Sequence, residues 1–458
     1  MRSRRTTLGK SSVVLLAIIL GGCGASDASA PPTGGGPTLG LPTLPAPQVA
    51  WLQAAVVPLN DDDPAQRFDD LAPLRTMIGN ARVVALGEAT HGTREFFRMK
   101  DRILRFLVHE MGFTAFAIEA TWPESNRIDR YVRSGLGNPD TLLSGLYFWT
   151  WNTTEVLEMI RWMRERNAGG GNVGFYGFDM QSPGMAIHIV REFVRVVDPG
   201  ALVEIHGHMT CLAAFANGPN GQGPTALYAA QPAAYRTECR EDLDFVHEWL
   251  LDHKAEYEAA SSADEFALAL RSARVAIQFE EMASGRRSRD AAMAENALWL
   301  LDRLGPNGKL VLWAHNFHVS TLPNAMGRDL RAALGSDLVI LGFAFGGGSF
   351  SGVRMAGGAL RGLQTLTAPP IVASSYEHYF QSVTPVRFLL DLRRPLASDS
   401  ASWLAGPRLL RSIGCCFDPD QPHLYAYESR LPQEFDLMVY FRNTSPSNVL
   451  PYRPPSTF

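Results

Sequence analysis

The sequence predicts an α/β protein with a mainly parallel central sheet flanked by helices and an inserted helical lobe. Three observations predict it. Five short runs, VVALGE (83–88), FTAFAIEA (113–120), NVGFYGFDM (172–180), KLVLWAHNFH (309–318) and DLVILGFAFGGG (337–348), are apolar enough to read as central strands covered on both faces. Helical segments separate them. Each run finishes in an ionisable residue or glycine, so polar groups collect beyond the carboxyl ends of the strands, where open parallel sheets bind ligands.

With 458 residues, 46% hydrophobic and 19% charged, the chain can bury a large core. Acidic residues outnumber basic ones by 46 to 42 and no block of about five or six like charges occurs, which argues against a nucleic-acid partner. Residues 1–23 read as a lipoprotein signal peptide. Arg2, Arg4, Arg5 and Lys10 lead an apolar run over 13–20 that is far shorter than the roughly 20 residues needed to span a bilayer. Leu20-Gly21-Gly22-Cys23 resembles a bacterial lipobox, with Cys23 as the lipidated residue. The expectation is a chain held on the membrane of the bacterial cell envelope by lipid. Residues 24–48 are rich in Pro, Gly, Ala, Ser and Thr and read as a tether, leaving 49–458 as the folded domain. Export would place Cys211, Cys239, Cys415 and Cys416 in an oxidising compartment, where they allow three pairings. Adjacent Cys415 and Cys416 are awkward partners, which favours Cys211 with Cys239.

The strand ends carry Glu88, His91, Glu119, Asp179, His315 and His318. Any one of these alone reads as a cap or a satisfied core residue; together they predict one polar site. The helix after the first run adds a cation. Phe96, Met99, Ile103, Leu104, Leu107 and Met111 share one face, with Arg98, Arg102, Arg105 and His109 opposite, and Lys100 falls within the apolar face. A lysine there is costly without a carboxylate partner, so Lys100 is expected to reach a strand-end carboxylate or the reacting oxygen.

From about 185 to 304 the patterns are helical, which predicts the lobe; PVRFLLDLR (385–393) and FDLMVYFRNT (435–444) add strands. There is no G-x-S-x-G elbow, since the nearest stretch, Gly348-Ser349-Phe350-Ser351-Gly352, has phenylalanine where the serine belongs. G-x-G-x-x-G after the first strand and H-E-x-x-H are also missing, which weakens dinucleotide and zincin readings.

GEATHG (87–92), EFF (95–97), Glu119, WNTTEVL (151–157), GFYGFDM (174–180), RDAAMAEN (289–296) and WAHNFHV (313–319) together resemble the erythromycin esterase family, from about residue 70 to the end. The resemblance implies a helical lobe walling a cleft in which a histidine activates water against a macrolide lactone. It places the base on His91, its carboxylates on Glu88 and Glu119, and the second histidine cluster on His315 and His318. Lys100 stands where the family often has arginine. His318, Asp179, Trp151 and Arg289 become substrate contacts, the partner is a small ester or lactone, and no cofactor is required. Imidazole suits this chemistry, because it titrates near neutrality.

Two alternatives use the same residues. Glu88, His91, Glu119, His315 and His318 are all credible ligands for a divalent metal, which would make a metal-dependent hydrolase. A tethered haem-binding lipoprotein with a histidine as axial ligand is the non-catalytic reading.

Overall fold

The computed structural model describes residues 41–216, 224–395 and 398–453. The signal peptide, Cys23 and most of the tether lie outside the described residues. Among the described residues one sheet has ten strands: β1 (Val57–Pro58), β2 (Val83–Leu86), β3 (Ala115–Thr121), β4 (Gly174–Asp179), β5 (Leu310–Trp313), β6 (Leu338–Ala356), β7 (Ala359–Thr367), β8 (Arg387–Asp391), β9 (Cys416–Phe417) and β10 (Leu437–Thr444). Their order is β1-β8-β10-β6-β2-β5-β3-β4, with β7 and β9 also paired to β6. From β10 to β4 every neighbour is parallel, while β8 is antiparallel to both β10 and β1, so the sheet is mixed.

The uniformly apolar runs follow from burial on both faces. Val84, Leu86, Phe116, Ile118, Val311 and Trp313 enter the layer shared with α1 (Arg94–Met111), α2 (Trp122–Ser134) and α3 (Thr154–Ala168). Their neighbours Val83, Ala85, Ala115, Ala117, Leu310 and Leu312 enter the opposite layer, under the lobe. Each fully buried aliphatic or aromatic side chain contributes about 1.5–3 kcal/mol.

The lobe is built from α4 (Gly184–Val197), α5 (Leu202–Met209), α6 (Ala233–Asp252), α7 (Ala263–Ala283) and α8 (Arg289–Arg303). A disulfide joins Cys211, just past α5, to Cys239 in α6. Glu295 on α8 ties the lobe helices together by accepting from Arg271 at 3.0 Å and Arg274 at 2.9 Å. No described helix is long and apolar enough to cross a membrane.

Two sequence expectations need correction. The tether does not reach residue 48, because a helix runs from Ala46 to Ala55; Pro47 falls in its first turn, where a missing N–H costs nothing. The strand expected to stop at the glycines near 348 continues to Ala356. There Gly347 and Gly348 pair with Asn443 and Thr444, and a Cβ on Gly348 would meet the Thr444 carbonyl oxygen at 2.1 Å, so the glycines permit the pairing and do not end it.

Candidate functional site

The strand ends converge. Parallel register sets the ends of β2, β5, β3 and β4 along one edge of the sheet; Glu88, His91 and His315 lie in the turns beyond β2 and β5, Glu119 lies near the end of β3 and Asp179 is the last residue of β4. The turn after β2 folds back so that His91 Nδ1 meets Glu88 Oε1 at 2.6 Å. Gly92 makes that turn fit, because a Cβ there would lie 1.8 Å from the Ser351 carbonyl oxygen of β6. The His91 amide donates to Gly414 O at 3.1 Å.

Glu88 is 0% exposed and both its oxygens are engaged. Oε2 accepts from Lys100 Nζ at 2.6 Å and from the Trp313 indole N–H at 2.8 Å. Lys100 is also 0% exposed, with its ammonium 4.5 Å from the Trp313 ring centroid. Burial pushes the ammonium down to about 8, opposed by the Glu88 charge. The carboxylate therefore presents its remaining oxygen to His91 with its orientation fixed.

His315 caps the short helix α9 (Asn316–Val319) by accepting from the Phe317 amide on Nδ1 at 3.2 Å, which assigns its proton to Nε2. That Nε2 is buried and has no hydrogen-bond partner. Burial, then the neighbouring His91 and His318, hold the His315 imidazole well below its ordinary value, in the neutral form. The His91 and His315 ring centroids are 5.2 Å apart.

Glu119 organises the other half. Its Oε2 accepts the His315 amide at 2.9 Å and its Oε1 accepts from Arg289 at 2.7 Å. Arg289 also grips Asp179, at 3.1 and 2.7 Å. His318 donates from Nδ1 to Asp290 at 2.8 Å, and its Nε2 lies 3.3 Å from Glu119. Burial opposes charge on His318, but Asp290 and Glu119 outweigh it and raise the group to about 10. The 3.1 Å approach of Arg289 Nη1 to His318 Nε2 is then a contact between two cations that share Glu119. Burial would raise the Glu119 carboxyl, yet His318 and Arg289 hold it well below the carboxylate range.

Seven expected residues thus meet at one site: Glu88, His91, Glu119, Asp179, Arg289, His315 and His318. Lys100 reaches a strand-end carboxylate, the first of the two partners expected of it, from wholly inside the core. One expected contact takes a different place. Trp151 is 1% exposed; its indole N–H donates to the Glu119 carbonyl at 2.8 Å and its ring stands edge-on to His91 at 5.7 Å, so it is a wall behind the base and not a substrate contact. The site also holds residues that sequence reasoning passed over. Trp313 and Asp290 stand inside WAHNFHV and RDAAMAEN, and membership of those two motifs is the signal that could have found them. Asn316 clamps Phe343 by accepting its amide at 3.0 Å and donating to its carbonyl at 2.8 Å.

Among the described residues no group of three or more His, Cys, Asp or Glu is placed to hold a metal ion. The donor set is turned elsewhere: Glu88 faces Lys100, Trp313 and His91, and Glu119 faces Arg289 and the His315 amide.

A sequence profile for erythromycin esterase matches residues 108–444. An erythromycin esterase type II from Escherichia coli is 27% identical over 339 residues, covering 66% of this chain and 77% of that protein. The solved structure of a succinoglycan biosynthesis protein is similar with a TM-score of 0.76 and 28% identity, covering 88% of this chain and 98% of that one. That of the erythromycin esterase EreC in an open conformation has a TM-score of 0.66 at 19% identity, covering 84% and 96%, a likeness of fold.

Proposed function

The chain belongs to the erythromycin esterase family of hydrolases, and from that premise we propose that it is a lipid-anchored enzyme of the cell envelope that cleaves a carboxylic ester or lactone with a water activated by His91. The supporting observation is the pairing of His91 Nδ1 with Glu88 at 2.6 Å beside the unpartnered Nε2 of His315. With Nδ1–H engaged by Glu88, Nε2 of His91 is the basic atom.

His91 Nε2 takes a proton from water as the oxygen attacks the carbonyl carbon. The Nε2–H of neutral His315 meets the developing oxyanion, a role that a preorganised donor in a dry site fills better than water does. The acyl C–O bond then breaks and the imidazolium returns its proton to the leaving alkoxide. Glu88 stabilises the imidazolium, and Lys100, Trp313 and Trp151 hold that pair in place. Arg289, Asp179, Glu119 and His318 fix the far side of the site.

His91→Asn keeps the side chain's polarity and removes the base. It is expected to lower kcat and kcat/KM together by at least about 10³-fold while an ester that is not turned over still binds. A fully active His91→Asn enzyme would remove this mechanism. Activity lost to a chelator and restored by zinc would replace it with metal-dependent hydrolysis, and a Soret band in the pure protein would replace it with haem binding.

A further inference from the structure

Thr121 and Glu124 stand at the start of α2 with the spacing of a capping box, in which each side chain would satisfy the other's amide. The box is open. Thr121 Oγ1 and both Glu124 carboxyl oxygens are buried without a hydrogen-bond partner, and so is Ser182 Oγ, just beyond β4. These four oxygens belong to neighbouring strand ends. The β3–β4 ladder sets Thr121 opposite Asp179, and Ser182 and the Met185 amide face the Glu124 carboxyl without closing a hydrogen bond to it.

Buried polar atoms in folded proteins almost always have partners. Four such oxygens in one cluster, at the edge of the sheet that carries the site and beside the Asp179–Arg289 pair, have only the off-geometry Ser182 hydroxyl and Met185 and Glu124 amides around them, and a group from outside the chain would satisfy them better. We propose that Thr121, Glu124 and Ser182 form a second subsite of the same cleft, which takes a hydroxyl-bearing part of the substrate such as a sugar or polyol group. The proposal rests on the hydrolase reading for the word substrate, but not for the binding.

The chemistry of the cluster selects a neutral ligand. Burial pushes the Glu124 carboxyl up to about 8, with Asp179 adding to the rise, so near pH 7 it carries one O–H donor and one carbonyl acceptor. Two hydroxyls complete the set. An anion would meet Asp179, a metal cation would need an ionised carboxylate, and an apolar group would leave all four oxygens orphaned. A hydroxyl both donates and accepts, as each of these partners does.

The test compares 6-O-butyrylglucose with 4-nitrophenyl butyrate, which share the acyl group and differ in hydroxyls. In Glu124→Met and Ser182→Ala the ratio of kcat/KM for the sugar ester to that for the aryl ester is expected to fall about ten-fold, the effect of losing one or two neutral hydrogen bonds. Glu124→Gln keeps a donor and an acceptor and should hold the ratio within about three-fold of wild type. A ratio unmoved in Ser182→Ala, or a Gln variant whose ratio falls about ten-fold, overturns the subsite; if Glu124→Met fails to fold, these two variants decide. Wild-type turnover of neither ester counts against the hydrolase reading alone. The subsite is then judged by calorimetric titration with 6-O-butyrylglucose: binding that weakens in Ser182→Ala upholds it, and no wild-type binding or equal binding overturns it.

Discussion

At Glu88 one carboxylate serves three donors, and Lys100 is the donor whose loss is most damaging. Removing it leaves a fully buried carboxylate without its countercharge, a change that costs about 3–5 kcal/mol when a buried pair is broken. Lys100→Met is therefore expected to lower the melting temperature and, by releasing Glu88 from His91, to reduce turnover about 10²-fold or more. A stable, fully active variant would show that Lys100 does not position the base. The pH dependence separates activity from stability. Below about pH 8 the folded chain bears the whole cost of burying the ammonium, and that cost is relieved between about 8 and 10.5, where only the unfolded lysine keeps its proton. His318 has the opposite sign: raised from 6.5 to about 10, its contribution is full below 6.5 and lost as pH rises through about 10. A kcat/KM profile should show an alkaline limb near pH 8, as Glu88 loses its cation, whereas the melting temperature should decline from about pH 6.5 to 8 and then hold to about 10, where the His318 loss and the Lys100 relief oppose each other. Melting that falls in step with activity would contradict this.

Turns and helix pairs decide how accurately these residues meet. Gly92 lets β6 cross the loop that carries His91, and its carbonyl accepts from the Ser351 and Ser447 amides, each at 2.9 Å. Gly92→Ala would drive a methyl group into the Ser351 carbonyl, so a loss of about 1–3 kcal/mol is expected. Activity should fall by more than that loss of stability explains, because the displaced loop holds the base; thermal melting and kinetics on the same preparation check it. In the lobe, the disulfide closes a loop of 28 residues, for which chain entropy predicts about 3.6 kcal/mol. Cys211→Ser with Cys239→Ser should lower the denaturant midpoint accordingly, and an unmoved midpoint would mean that the bridge does not constrain the unfolded chain. The helical character of this lobe was legible from residues 185–304, because its apolar residues recur at helical spacing. The ties centred on Glu295 were not, since Arg271 and Arg274 come from another helix and no local pattern reports them.

For the whole molecule, the proposed lipid on Cys23 would hold the chain at the membrane surface. Wild-type protein should fractionate with membranes and Cys23→Ala should not; soluble wild-type protein would end the anchoring proposal. The sequence by itself determined the sheet and most of the site. Apolar runs buried on both faces leave little freedom in where their ends fall, and parallel pairing sends all those ends to one edge, so Glu88, His91, Glu119, Asp179, His315 and His318 had to gather there. Tertiary structure alone decided what each does. Lys100 and Trp151 have the residue types of site groups, yet packing against Trp313, Phe343 and Phe97 puts both behind the site. Trp313 and Asp290 carry no role in the sequence reading and hold Glu88 and His318. Periodicity reports which face of an element is buried; which side of that buried layer a polar atom points to depends on partners more than 20 residues away in the chain, and only the assembled fold brings them together.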